Sequence, residues 1–133
     1  MKIVLIVDDE EGFLRSLAEG LNASCSDKFR VLTAHNGEEA LRVLELTDIS
    51  LVVTDLLMPC LDGYGLLGQI KLQWPWIPII VMSAHLDHEA ESRLKAMGVS
   101  HFLEKPLDFD HVATSIRDKV SSVSGQNEEV FVP

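Results

Sequence analysis

Several short apolar runs of this 133-residue chain end in residues that could do chemistry. The residues are Asp8 and Asp9 after the first run, Asp55 after the third, Ser83 after the fourth and Lys105 after the fifth. If the runs are parallel strands, right-handed crossovers bring all of these residues to the carboxyl edge of one sheet, where ligands bind. Three carboxylates at one place raise each other's pKa, and a divalent cation relieves that conflict.

The types of these residues predict which cation and which reaction. Oxygen ligands without His or Cys favour a hard cation, so Mg²⁺ is expected, with Mn²⁺ as the alternative. A carboxylate can attack phosphorus to form an aspartyl phosphate, and Asp55 is the candidate nucleophile because it stands alone after its run. Lys105 and Ser83 are expected to stabilise charge on the phosphoryl oxygens. Singly, each residue has an ordinary use in a cap, turn or surface, and only the combination indicates a site.

The elements that must position these residues can be read from hydrophobic periodicity. Apolar runs of strand length with β-branched enrichment occupy 3–7, 29–33, 49–53, 79–82 and 100–103. Segments with helical spacing follow them, and the fourth, 88–97, carries few apolar residues and should be the least buried helix. The fifth is expected to face the core with Phe109, Val112, Ala113, Ile116 and Val120. The alternation predicts an α/β domain with a parallel sheet covered on both faces. The most continuously apolar runs, the first, third and fourth, are expected to be central strands.

Composition and charge exclude several classes of protein. With 11 basic and 21 acidic residues, the net charge of −10 repels phosphate backbones and anionic lipid surfaces, so direct nucleic-acid binding is not expected. No apolar run approaches the ~20 residues of a membrane span and no signal peptide is visible, so we expect a cytoplasmic chain. Cys25 and Cys60, 35 positions apart, do not form a zinc motif or a disulfide framework.

Over 2–121 the sequence resembles the receiver domains of two-component response regulators. Four motifs carry the resemblance: VDDE at 7–10, DLLMP at 55–59 with Asp62-Gly63 following, MSA at 82–84 and FLEKP at 102–106. The resemblance implies a flavodoxin-like, doubly wound sheet of five parallel strands in the order 2-1-3-4-5, with five helices. It also implies a receiver domain at 1–121 and a C-terminal tail or linker at 122–133.

The resemblance further implies a role for each site residue. Asp55 would be the phosphoacceptor, and Mg²⁺ would be bound by Asp8, Asp9, Asp55 and the backbone carbonyl of Leu57. Ser83 and Lys105 would contact the phosphoryl group.

Two further implied roles are switching and control of the lifetime of the phosphorylated state. Ser83 and Phe102 would act as the switch, with Phe102 turning inward on activation, although plain core packing is its commoner use. Leu57 and His85 stand where the family tunes the phosphoryl lifetime. Because an apolar Leu57 cannot orient an attacking water, we expect slow autodephosphorylation.

The function implied is a phosphoacceptor in signalling and not a classical enzyme. The donor would be a sensor histidine kinase or a phosphotransfer protein, and the output face would be the fourth helix, fifth strand and fifth helix. That face would bind a downstream effector or form a homodimer. A degenerate receiver that acts as a constitutive interaction module is one alternative. An aspartyl phosphohydrolase is another, disfavoured because Leu57 stands where a second Asp would act as general acid.

Overall fold

A computed structural model describes residues 1–58 and 62–130 of the chain, with side chains described as far as residue 122. The strands are β1 (Lys2–Val7), β2 (Phe29–Ala34), β3 (Leu51–Asp55), β4 (Ile79–Ser83) and β5 (His101–Glu104). The helices are α1 (Glu11–Cys25), α2 (Gly37–Leu46), α3 (Gly63–Gln73), α4 (His88–Ala96) and α5 (Phe109–Val130).

The five strands form one parallel sheet in the order β2-β1-β3-β4-β5, which confirms the predicted fold and the three central strands. The carboxyl ends of neighbouring strands lie side by side, since Asp55 pairs with Met82 and Ser83 pairs with Glu104. The residues that follow β1, β3, β4 and β5 therefore meet at one edge of the sheet.

Two apolar layers cover the sheet, because alternate strand residues point to opposite faces. On one face, β1 and β4 residues such as Ile6 and Ile80 pack against α1 and α5. On the other, Leu5 and Val81 pack in the cluster that holds the buried residues of α2, α3 and α4. Of the residues in α4, only Leu94 is buried, which confirms that this helix is anchored least.

Side-chain caps start the three helices that follow β2, β3 and β4. The side chains of Asn36, Asp62 and Asp87 accept hydrogen bonds of 2.8 Å from backbone N–H groups three residues ahead. Each cap satisfies one of the donors that a helix N-terminus leaves unpaired. At the other end of α4, Gly98 has a φ of +86°, a left-handed conformation that favours glycine.

Three local expectations were wrong. The third strand begins at Leu51 and not at residue 49, because the Ile3 N–H donates to the Ser50 side-chain oxygen at 3.2 Å and not to a backbone carbonyl. Helix α4 ends at Ala96, so Met97 caps it. Phe109, expected in the core at the start of α5, is 37% exposed and lies over Gly20 of α1.

Helix α5 continues to Val130, past the start of the expected tail at residue 122. The segment 121–130 contains no proline and a single glycine, so a helix anchored by buried residues up to Val120 can propagate through it. Residues 131–133 of that expected tail and Cys60 lie outside the described residues, while Cys25 is a buried free thiol. None of the described helices has the length and apolar character needed to span a bilayer.

Candidate functional site

The carboxyl edge of the sheet gathers three of the predicted residues into direct contact. Asp8 follows β1, Asp55 ends β3, and Lys105 follows β5. The Lys105 ammonium lies 2.7 Å from Asp8 Oδ2 and 2.7 Å from Asp55 Oδ2, and both carboxylates are buried. The Lys105 ammonium therefore bridges the carboxylates of Asp8 and Asp55, which are 47 positions apart along the chain.

The acidic cluster also includes Asp9, whose side chain is exposed. Carboxylate oxygens of Asp8, Asp9 and Asp55 all lie within 4.8 Å of one another. Backbone N–H groups hold two of these carboxylates in place: Glu10 donates to Asp8 Oδ1 at 2.9 Å and Leu57 donates to Asp55 Oδ1 at 3.1 Å. A set of converging oxygen donors without nitrogen or sulfur fits Mg²⁺ or Mn²⁺.

Burial is the largest influence on the charges at this edge. It raises the pKa of Asp8 above its ordinary value, and the neighbouring Asp55 carboxylate adds to the rise, although Lys105 and the Glu10 N–H oppose it. Burial also acts to lower the pKa of Lys105, but hydrogen bonds and attraction from Asp55 and Asp8 outweigh it and raise that pKa overall. The lysine is held charged beside the Asp8 carboxylate, which burial disfavours as an anion.

Ser83 lies at the end of β4, buried beside the cluster. Its Oγ accepts a hydrogen bond from the N–H of His85 at 3.2 Å, and its carbonyl accepts one from the N–H of Lys105 at 2.9 Å. The second bond joins the ends of β4 and β5, so the serine and the lysine are positioned together. The Lys105–Pro106 peptide bond is cis. The His85 side chain is exposed.

The two remaining predicted residues lie at different depths. Leu57 is 59% exposed, and its backbone is fixed to Asp55 by the N–H bond already described. Phe102 pairs with Val81 and is half-buried, packed against the layer of α2, α3 and α4. Phe102 therefore lies on the same face of the sheet as α4.

Sequence reasoning assigned no role to Gly63, although it stands in a recognised motif. A Cβ added there would lie 2.4 Å from the Leu56 Cα and 2.6 Å from the Asp55 carbonyl oxygen. Its N–H donates to the Leu56 carbonyl at 2.9 Å. The start of α3 thus lies against the backbone of the acidic strand end, which only a residue without a side chain allows.

Comparison with known proteins places this arrangement among signalling proteins. A family model described as "Response regulator receiver domain" matches residues 4–117. The transcriptional regulatory protein GlrR of Escherichia coli is 35% identical over 126 residues, 95% of this chain and 28% of that protein. The DNA-binding transcriptional regulator NtrC of Escherichia coli is 31% identical over 129 residues, 95% of this chain and 26% of that protein. The chain thus spans about a quarter of the length of these curated relatives.

Solved receiver structures share the fold. The signal receiver domain of a putative Luxo repressor protein from Vibrio parahaemolyticus has a TM-score of 0.87 at 21% identity, over 99% of this chain and 98% of that one. The response regulator TrrA of Thermotoga maritima, solved in complex with Mg²⁺-BeF, has a TM-score of 0.76 at 28% identity, over 90% and 99%. The first likeness concerns the fold alone.

Proposed function

This chain belongs to the response regulator receiver domain family, and we propose that it accepts a phosphoryl group on Asp55 in a Mg²⁺-dependent reaction. The donor is the phosphohistidine of a sensor histidine kinase or a phosphotransfer protein. An Asp55 carboxylate oxygen attacks phosphorus, the N–P bond breaks, and the imidazole leaves with its electron pair and takes up a proton. The contact of Lys105 with both Asp8 and Asp55 supports this proposal most strongly.

Each residue of the edge has a part in that transfer. Asp8, Asp9, Asp55 and the Leu57 carbonyl hold the cation. When bound, Mg²⁺ supplies charge that screens the carboxylates from the incoming phosphoryl group. Lys105 stabilises charge on a phosphoryl oxygen, and its contact with Asp55 Oδ2 supports this role. The Ser83 hydroxyl donates to another phosphoryl oxygen.

Phosphorylation is proposed to switch partner binding through the α4-β5-α5 face. Ser83 leads directly into the loop before α4, and that helix is held by one buried side chain, Leu94. Movement of Ser83 toward the phosphoryl oxygen leaves space in which Phe102 packs more deeply. Beryllium fluoride with Mg²⁺ is expected to order the Phe102 ring and to alter amide exchange in α4. An unchanged ring and unchanged exchange would contradict the switch.

The partners of that face are proposed from the domain's position in a relay. A downstream effector domain or protein, or a second copy of the domain, would bind α4-β5-α5. Because its net charge of −10 repels phosphate backbones and anionic lipids, the domain itself is proposed to bind neither nucleic acid nor a membrane surface. We propose that it acts in the cytoplasm. Any DNA binding belongs to an attached or partner domain.

The phosphoryl group is proposed to be long-lived. Leu57 has no group that could orient a water for attack on the acyl phosphate, and His85 shields or contacts the phosphoryl group. Leu57→Asn is expected to shorten the lifetime because an amide can position water. Release of inorganic phosphate within seconds from the wild-type protein would contradict this part of the proposal.

Intact-mass measurement tests the function. Incubation with Mg²⁺ and acetyl phosphate should add one phosphoryl group to the wild-type chain and none to Asp55→Asn. Asp48→Asn is the matched control, since Asp48 is exposed and does not belong to the cluster, and it should be phosphorylated like the wild type. No gain with any donor or cognate kinase would refute the proposal and favour a constitutive interaction module. Catalytic release of phosphate from phosphoesters would favour a phosphohydrolase.

A further inference from the structure

A shallow depression lies beside the acidic cluster, between the start of α3 and the middle of α4. Its lining includes Asp9, Leu57, Asp62, Tyr64 and Arg93. Asp9, the exposed carboxylate of the acidic cluster, lies at one end, and the segment that follows Asp55 forms another part of the lining. A phosphodonor that reaches Asp55 from the α3–α4 side therefore passes over this depression.

The negative charges around the depression disfavour the approach of such a donor. Asp9 and Asp62 line it, and the whole chain has a net charge of −10, so a dianionic phosphoryl group is repelled as it approaches. The Lys105 ammonium is bound to two carboxylates at 2.7 Å and lies at the buried edge. Arg93 supplies the positive charge among the residues that line the depression.

The position of Arg93 is fixed by an aromatic ring. Its guanidinium carbon lies 3.7 Å from the centre of the Tyr64 ring, a stacking distance that joins α4 to the first turn of α3. In the part of the chain that the structure describes, no carboxylate oxygen lies within 4.0 Å of this guanidinium. A stacked guanidinium keeps its N–H edge available for the oxygens of a phosphoryl group.

We infer that Arg93, held by Tyr64, recruits dianionic phosphodonors to the depression beside Asp55 and so raises the apparent affinity for them. The inference rests on the proposed function, because it concerns how the donor reaches the phosphoacceptor. Arg93 acts before the chemical step and does not touch the reacting atoms. The group recognised is the phosphoryl group itself, whether it is carried by a small acyl phosphate or by a phosphohistidine.

Phosphorylation rates of Arg93→Gln test the inference, with Lys95→Gln as the control. Both variants lose one positive charge from the same helix. Lys95 is exposed and is not among the residues that line the depression, so its replacement controls for the change in net charge. Arg93→Gln is expected to raise the half-saturating concentration of acetyl phosphate about fivefold at low salt, with the maximal rate unchanged. Salt should shrink the difference, and phosphoramidate, which carries less negative charge, should show a smaller one.

Two further variants separate recruitment from a structural role. Tyr64→Leu keeps the charge of Arg93 and removes its platform, so it should give a smaller loss than Arg93→Gln. Arg93→Lys should recover part of the rate. Urea unfolding should show Arg93→Gln, Arg93→Lys and Lys95→Gln close to the wild type in stability, since the side chains of Arg93 and Lys95 are exposed.

The outcomes distinguish the inference from the proposed function. Equal rates for Arg93→Gln and Lys95→Gln would overturn the inference while the proposed function stands. A fall in maximal rate that is independent of salt and of donor charge would also overturn it, because that would indicate a structural effect on the site. Failure of the wild-type protein to be phosphorylated would refute both.

Discussion

The carboxyl edge of the sheet and the apolar layers beneath it are both buried, but they bury opposite kinds of side chain. In the layers, residues such as Leu66 and Ile80 are fully enclosed by apolar neighbours, and their burial stabilises the fold. At the edge, Asp8 and Asp55 are buried as neighbours of like charge, and Lys105 offsets their desolvation. The layers stabilise the fold, while the edge holds charges to which the proposed function assigns cation binding and phosphoryl transfer.

The largest effect on stability should come from removing the Lys105 ammonium, which bridges the two buried carboxylates of the edge. Lys105→Met is expected to lower the free energy of unfolding by about 3 kcal/mol without metal, because Asp8 and Asp55 would face each other unpaired. Urea unfolding in EDTA near pH 7.5 measures this. The double variant Lys105→Met with Asp8→Asn should recover much of the loss. If Lys105→Met is as stable as the wild type, the description of the edge is wrong.

A cavity in an apolar layer should have an effect of similar size and no effect on chemistry. Leu66→Ala is expected to cost about 3 kcal/mol, because Leu66 is fully buried on α3. Leu72→Ala, on the same helix but 82% exposed, should change stability by less than about 0.5 kcal/mol. Where it remains folded, Leu66→Ala should still accept a phosphoryl group. Equal losses for the two leucines would contradict the packing described.

The layers could be predicted from sequence better than the contacts at the edge. Continuous apolar runs identified the central strands, and sparse apolar residues identified α4 as the least anchored helix. The runs also indicated which polar residues meet at the edge. Periodicity could not show that Lys105 bridges two carboxylates, because a side-chain hydrogen bond leaves no pattern along the chain.

Local misjudgements have local causes. Ile49 is apolar and buried, so hydrophobic periodicity places it in the third strand. The Ile3 N–H, however, donates to the side-chain oxygen of Ser50, and the strand begins only at Leu51. Phe109 fits the helical spacing of a core residue, but Gly20 on α1 gives its ring a place over that helix at the surface. Such tertiary contacts override the pattern that periodicity predicts.

Metal binding should stabilise the edge by a smaller amount. Mg²⁺ at ten times its dissociation constant is expected to add about 1.4 kcal/mol to the free energy of unfolding. Asp8→Asn should lose most of this gain, whereas Asp48→Asn should keep it. In EDTA, Asp8→Asn should be at least as stable as the wild type near pH 7, because burial raises the pKa of Asp8 and disfavours its charged form. A gain from Mg²⁺ that Asp8→Asn retains would place the metal elsewhere.

The smallest effect should come from the opposite edge, at the amino end of β5. Burial lowers the pKa of His101, and Lys119 and His111 lower it further, while Asp118 acts in the opposite sense. The neutral form is therefore favoured in the fold. Its contribution is complete above the unfolded pKa of about 6.5 and declines as the pH falls below that value.

Replacing the histidine should remove that decline. The loss of stability between pH 7.5 and pH 5.5 should be slightly smaller for His101→Gln than for the wild type, as read from urea midpoints. His88→Gln, an exposed histidine on α4, is the control and should leave the decline unchanged. A larger effect of His88→Gln than of His101→Gln would contradict the assignment.

The most direct test of the central claim is to locate the phosphoryl group on the chain. Protein phosphorylated with Mg²⁺ and acetyl phosphate is treated with borohydride, which reduces an acyl phosphate to an alcohol, and its peptides are sequenced by mass spectrometry. The account predicts homoserine at position 55 and unchanged aspartate at positions 8 and 9. A phosphate that resists borohydride and maps to Ser83, or homoserine at position 8 or 9, would contradict it.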